Sequence, residues 1–593
     1  MVSRPTKLRF RRMFRRRRKQ AIDLSYATED NLDRYIFRRL MRLVQVRRFI
    51  FGWVGLLVVL SVGVVLQTGA LSKYYMQDVP VAGGTFREGI VGTFTNANPI
   101  FAQSEVDASA SRLIFSGLFT HNTRGELVPD LADKFDLDET ETVYTVYLKD
   151  NIKWHDGRPL TAKDVVFTYK TIQNPEAKSF LESSWKGVTV KARGERTVTF
   201  TLSNSLSGFP HSLTTGIIPE HLLKDIEPSQ LRSSSFNNQE PVGSGPFSFQ
   251  AVEVDEAAER GATRVAFQAN QDYYFSAPQL DHFIIRTYTT EDNLVHAFKN
   301  AEVDAMAGLD DVPDDIDPLA IRPHGVPLSG EVMVFFKNSH KILKDSAVRK
   351  ALVLGVDKNE IFKSLPYPVL SVDGPLLRPH VGYDKAFAQR TNKKAEANKV
   401  LDQAGWKRDP NTGMRSKDKL PLKFRLFSAS SSEFTAVSGN LQKQWRDLGI
   451  EAEVVLQSEE DLQSSVSGHN YDALMYGILL GSDPDVYPYW HSTQGDVRSQ
   501  TRLNFSEYKS TAADKALEAG RTRSDEHNRA VKYKPFLEAW QKDYPALALY
   551  QPQFLYVAND NLSGFEYGIA QNSSDRYINV IQWKIRIGSQ KID

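Results

Sequence analysis

Three short stretches of this 593-residue chain carry residue types that do chemistry in other settings. Trp154-His155-Asp156-Gly157 sets a histidine beside an acid, the pairing of a general base or a metal ligand. Asp-Gly ahead of Pro159 marks a turn, and no second histidine lies near in sequence, so a turn is preferred to a metal or catalytic site. Gly243-Ser244-Gly245 superficially suits a nucleophile, but Pro241 and Pro246 flank it and predict a tight turn. Asp310-Asp311-Val312-Pro313-Asp314-Asp315 offers carboxylates to a cation without the regular oxygen spacing of a calcium loop, and reads as an exposed acidic turn. No Gly-x-x-x-x-Gly-Lys-Ser/Thr loop, His-Glu-x-x-His helix or Gly-x-Ser-x-Gly elbow occurs. The chain has no cysteine, which excludes disulfides, thiolate metal sites, cysteine nucleophiles and a lipid on an N-terminal cysteine. The expectation is a protein without catalytic residues, metal or cofactor. Its enzyme rival is a tethered hydrolase with a triad scattered along the chain.

Residues suited to binding stand out more. Tyr471, Tyr476, Tyr487, Tyr489 and Trp490 surround Gly477–Pro488, which holds Gly477, Gly481, Pro484 and Pro488 beside Asp483 and Asp485. Aromatics with a few polar groups on irregular backbone suit a ligand cleft. A buried aromatic core loop has the same composition, and the residues alone leave both open.

The elements that must position such a site begin with a membrane segment. Phe49–Leu66 is uncharged and rich in Val, Leu, Ile and Gly, and Gln67–Ser72 extends it. A spanning helix needs about 20 such residues. Trp53 near one end and Tyr74 and Tyr75 past the other suit the two interfaces. Residues 1–48 carry a net charge of +12, including Arg15-Arg16-Arg17-Arg18-Lys19, whereas the chain as a whole is +2, leaving −10 for residues 49–593. Positive flanks stay cytoplasmic, so the N-terminus is expected inside and the large domain outside. The acidic remainder argues against nucleic-acid binding. The basic arm is expected to meet anionic lipid. Thr28–Arg48 reads as an amphipathic helix on the inner leaflet or as a plain extension of the span. The 48-residue head is too long for an ordinary signal peptide, so the segment is expected to be retained.

Beyond residue 83 the chain is too long for one core. Period-two alternation predicts strands at Val143–Leu148, Thr197–Leu202 and Leu422–Phe427. Helical periodicity predicts Thr161–Ile172, Ser346–Val356, Ala395–Ala404 and Phe434–Leu448, the last closed by Gly449. Asp255–Arg264 is expected to be a solvated hairpin loop, and Pro535 to start or kink a helix. The mixture is α/β in class.

Gly83-Gly84-Thr85-Phe86-Arg87-Glu88-Gly89 followed by Asn98-Pro99-Ile100-Phe101, the run Val146–Phe167 containing Trp154-His155-Asp156-Gly157-Arg158-Pro159-Leu160-Thr161, Pro241-Val242-Gly243-Ser244-Gly245-Pro246-Phe247, Ala347-Val348-Arg349-Lys350-Ala351-Leu352, Ala404-Gly405-Trp406 and Asp543–Tyr550 follow one another in order. Together they resemble the extracellular solute-binding proteins of family 5, the peptide-binding components of ABC importers. The resemblance implies a two-lobed periplasmic-binding-protein type II (Venus-flytrap) fold with an extra subdomain, here preceded by one transmembrane helix. It places lobe I at 83–119, 236–323 and 547–593, the extra subdomain at 120–235 and lobe II at 327–546, after a cytoplasmic arm at 1–48, a span at 49–72 and a linker at 73–82. It implies a ligand enclosed as the lobes close, an ABC permease as partner, and a monomer. Peptide-binding members hold ligand backbone as an added strand.

By the same resemblance Asn96, Asn98, Gly477, Ile478, Leu479, Leu480, Gly481, Asp483, Asp485 and Trp490 are the expected ligand-binding residues. Peptide-binding members carry an Asp three residues before an acidic-Pro pair to hold the ligand's α-ammonium. Aligning that pair with Asp483-Pro484 puts Leu480 there, and leucine cannot neutralise an ammonium. Either Asp483 or Asp485 supplies the charge, or the ligand lacks a free amine there: a blocked or longer peptide, a glycan or an opine-like solute. A sensor that keeps the binding fold is the remaining alternative to an import receptor.

Overall fold

The computed structural model describes residues 13–20, 22–23, 47–255, 262–313, 316, 321–365, 367, 369–499, 501–522 and 524–591. The chain divides into two compact units, one of residues 1–79 with 587–593 and one of residues 80–586.

In the first unit an α-helix, Arg47–Tyr75, leads into the strand Met76–Val81, which pairs with the C-terminal strand Arg586–Lys591. Every side chain from Phe51 to Gln67 is exposed, so valines and leucines surround the helix on all faces. Among the described residues no helix is long and apolar enough to cross a membrane. The amphipathic helix expected over Thr28–Arg48 lies outside the described residues up to Val46.

The second unit is built on two large sheets. Lobe I holds seven strands in the order Ile321–Pro327, Gln553–Asn559, Ala305–Ala307, Thr85–Val91, His282–Tyr288, Ala262–Ala269, Phe247–Asp255. Lobe II holds five: Glu451–Gln457, Lys423–Ala429, Ala473–Leu479, Gly330–Phe336 and Ala546–Tyr550. A smaller sheet, in the order Ala132–Leu137, Val143–Leu148, Thr197–Thr201, Thr189–Ala192, lies within 120–235, the range expected for the extra subdomain. The chain passes between lobes after Pro327 and again after Tyr550, so the last strand of lobe II runs past the boundary expected at Ala546. Interior strands of lobe II are covered on both faces and read as continuous apolar runs. Gly330–Phe336 is buried at all its positions and contains one charged residue, Glu331.

The predicted helices form for local reasons. Ala162–Gln173 opens on a capping box, in which Thr161 and Asp164 each bond the other's backbone. Ser432–Asp447 is capped by Ser431, and Gly449 follows it at φ +79°, the left-handed conformation that favours glycine. Pro535 neither starts nor ends a helix; Glu526–Asp543 runs through it. The strands Phe247–Asp255 and Ala262–Ala269 pair as an antiparallel hairpin, longer than expected at both ends, and the tip at 256–261 lies outside the described residues.

Two of the chemistry-bearing stretches meet. His155 Nδ1 accepts from the Gly243 N–H at 3.2 Å, its Nε2–H donates to the Gly245 carbonyl at 3.0 Å, and its own N–H donates to the Gly243 carbonyl at 2.8 Å. Burial drives this imidazole down to about 4, so it is neutral and clips the subdomain to lobe I. A Cβ on Gly243 would lie 2.0 Å from the Ile114 carbonyl oxygen, which is why glycine stands there. Trp154–Gly157 closes a turn, the Gly157 N–H donating to the Trp154 carbonyl at 2.9 Å, and the chain bends at 244–246.

Candidate functional site

Between the lobes of the second unit lies a cavity of about 370 Å³. Arg124, Glu126, His211 and Gln571 wall it on the side of lobe I and its subdomain; His380, Ser482, Asp483 and Arg529 wall it on the side of lobe II. Ser329, where the chain has just crossed, sits at its floor.

The loop after the strand Ala473–Leu479 is tied to that crossing. The N–H groups of Leu480 and Gly481 both donate to the Ser329 carbonyl, at 2.8 and 3.3 Å, and Ser329 Oγ donates back to the Gly481 carbonyl. Gly481 takes φ +76° to make this turn. Its carbonyl also accepts from His380 Nε2–H at 3.0 Å, while His380 Nδ1 accepts from the Leu377 N–H. Burial holds His380 at about 4, so it is a neutral positioning group.

Both candidate acids already have partners. Asp483 pairs bidentately with Arg529, at 2.8 and 2.9 Å, with only 9% and 5% of the two side chains exposed. The pairing raises Arg529 against the pull of burial. Asp485 bonds Arg521 at 2.8 Å, yet burial outweighs that partner and raises its pKa. Arg521 in turn lies 4.3 Å over the Tyr487 ring.

Subdomain and lobe II touch at the rim. Ser207 N–H and Oγ each donate to the Arg521 carbonyl at 3.0 Å, Ser205 Oγ donates to the Thr522 carbonyl, and Ser524 N–H and Oγ donate to Glu141 at 3.1 and 2.7 Å. Gln571 Nε2 donates to Ser482 Oγ across the cavity. These bonds describe a closed cleft. His121 and His211 stack at 3.0 Å between Nε2 and Nδ1, both lowered mainly by burial, His121 to about 4.

The remaining expected residues fall in three groups. Asn96 and Asn98 are buried and shape their own turn: Asn96 Oδ1 accepts from Asn98 N–H, and Asn98 Nδ2 donates to Asn237. Gly477, Ile478 and Leu479 belong to the strand, with Ile478 in the core and Leu479 exposed. Trp490 is fully buried against Phe335 and Trp540, so with Tyr471 it serves the core of lobe II. Leu480 packs partly against that same core. His211, Ser329, His380, Arg529 and Gln571 also line the cavity, and nothing in their local sequence marks them. Among the described residues no group of three or more His, Asp and Glu side chains is placed to hold a metal ion.

Comparison with known proteins agrees with this architecture. A family model described as bacterial extracellular solute-binding proteins, family 5 middle region, matches residues 126–499. The oligopeptide-binding protein AppA of Bacillus subtilis is 24% identical over 506 residues, 82% of this chain and 90% of that protein. Its solved structure, in complex with a nonapeptide, matches with a TM-score of 0.65 at 23% identity, covering 86% of this chain and all of that one. The ABC transporter substrate-binding protein CtaP of Listeria monocytogenes matches with a TM-score of 0.72 at 22% identity, covering 85% and 99%. At these identities the structural likeness shows the two-lobed binding-protein fold.

Proposed function

Because this chain belongs to family 5 of the bacterial extracellular solute-binding proteins, we propose that it holds a peptide between its two lobes and passes it to an ABC importer, with no chemistry of its own. The observation that carries this reading is the interlobe cavity, closed at its rim by bonds between subdomain and lobe II. Leu480–Asp483 forms one wall of the ligand site in this reading, and the Asp483–Arg529 pair presents a fixed dipole to ligand backbone. Asn96, Asn98 and Trp490 act by holding the walls.

The receptor is anchored by Phe49–Leu66, with the basic arm on the cytoplasmic side against anionic lipid and the second unit outside. The uncharged run, the charge asymmetry around it and a helix exposed on all faces support this part. Removing residues 1–19 while keeping the basic flank Arg34–Arg48 and the helix should leave uptake intact, since the remaining arginines still orient the span and the removed segment binds no solute.

The direct test is mass spectrometry of whatever co-purifies with the native protein. A ladder of peptides is the expected result. A single non-peptide solute would overturn the substrate and keep the receptor.

A further inference from the structure

Glu331 is fully buried, and neither carboxyl oxygen has a hydrogen-bond partner. Among the described residues it is the only buried carboxyl with both oxygens bare. Such a group is expensive unless something completes it. Its position says what that could be. Glu331 sits opposite Ile478 in the antiparallel pairing of Gly330–Phe336 with Ala473–Leu479. Met333 and Phe335, on its face of the strand, pack in the same core as Ile478, and Leu480 packs against that core. The carboxyl therefore shares a face with Leu480, one position beyond the strand end, where the loop turns into the cleft. Only Gly330, at most about 7 Å of chain, separates it from Ser329 in the cavity lining. Tyr489 lies close enough for the two to interact, and its hydroxyl donates to the Leu479 carbonyl at 2.9 Å. Ser329 and Ser482, which flank this turn, line the interlobe cavity, whereas Glu331 is buried just behind them.

We propose that Glu331 is the anchor for a cationic nitrogen of the ligand, an ammonium or guanidinium, reached when the Leu480–Gly481 turn moves aside in the open cleft. The inference rests on the peptide reading above and deepens it. The acids of the neighbouring loop, Asp483 and Asp485, are already paired with arginines, whereas Glu331 has no cation of its own. In the closed form, burial raises the carboxyl well above its ordinary value and favours its protonated state. An arriving ammonium replaces that proton, which leaves to solvent, and a buried charge pair forms.

The test uses the full-length protein in detergent and measures binding of penta-alanine with a free and with an acetylated amino end. The wild type is expected to prefer the free amine at least tenfold. Glu331→Gln should abolish that preference and leave affinity for the acetylated peptide unchanged. Leu480→Lys, which puts a tethered ammonium on the same face, should also abolish the preference for the free amine, whatever it does to overall affinity, and serves if the Gln variant misfolds. A tenfold preference that survives both substitutions, or no preference in the wild type, overturns the assignment. A wild type that binds neither peptide defeats the peptide reading instead. Agmatine then decides Glu331: binding lost on Glu331→Gln supports it, and no binding, or binding unaffected, overturns it.

Discussion

Each large sheet of this protein buries a glutamate on an interior strand, and the two are treated in opposite ways. In lobe I, Glu88 is fully buried and completely satisfied. Arg576 lies 2.5 Å from Oε1, Tyr556 donates to Oε2 at 2.9 Å, and the Tyr577 hydroxyl donates to Oε1. Arg576 is held in turn by Ser109 and the Ser573 carbonyl. In lobe II, Glu331 is just as buried and has no such partner. The Glu88 network ties the C-terminal segment to the first strand of its sheet, and nothing is left for a ligand. The bare acid is poor for stability and available for binding. Satisfaction of a buried charge, more than its burial, distinguishes a structural residue from a binding one.

The sharpest way to break the comparison is to make Glu88 resemble Glu331. Arg576→Met should cost about 3–5 kcal/mol in denaturant unfolding, because it strands a carboxylate inside the protein. A loss below about 1 kcal/mol would mean that the network is not what holds lobe I. Arg529→Gln is an intermediate case. Asp483 would lose its partner beside a cavity that water can enter, so a loss of about 2 kcal/mol is expected, together with weaker ligand binding.

Glu331→Gln should behave unlike both and stabilise the empty protein, by about 1 kcal/mol at pH 7. The sign follows from linkage. The folded carboxyl keeps its proton well above the ordinary value of 4.5, whereas the unfolded one releases it near there. The folded state then holds more protons, and wild-type stability falls as pH rises above about 4.5. Melting temperatures of the two proteins should therefore diverge from pH 4.5 upward; parallel curves would show that Glu331 is satisfied. The buried histidines act in the opposite direction. His155 and His380 stay neutral down to about pH 4, so both proteins should lose stability as pH falls from 6.5 toward 4. The smallest effect is expected at the rim. Ser524→Ala removes the hydroxyl bond to Glu141, and should cost less than about 1 kcal/mol of closed-state stability, read as faster ligand release.

Much of the architecture was legible before the structure. Period-two runs such as Val143–Leu148 became strands, and the periodic run Thr161–Ile172 became a helix, because side-chain alternation and helical periodicity are local. The glycine-proline turn at 241–246 was legible as a turn, but not that His155 would clip it from 88 residues away. The helical pattern around Pro535 became the helix Glu526–Asp543, with Pro535 inside it and Tyr533, Phe536 and Trp540 buried. Trp490 and Tyr471 had the composition of a cleft and turned out to be core, since an aromatic ring suits either place.

The sequence by itself determined the membership of this chain in a family of two-lobed binders, the absence of cysteine chemistry and the basic-then-apolar order of its N-terminus. These are properties of residue type, order and short-range periodicity. Only the tertiary structure decided which acids are spoken for. Asp483 and Arg529 stand 46 residues apart, and Glu88 and Arg576 stand 488 apart. A carboxylate's partner is chosen by which strands and helices pack together, and no local pattern of residues encodes that choice.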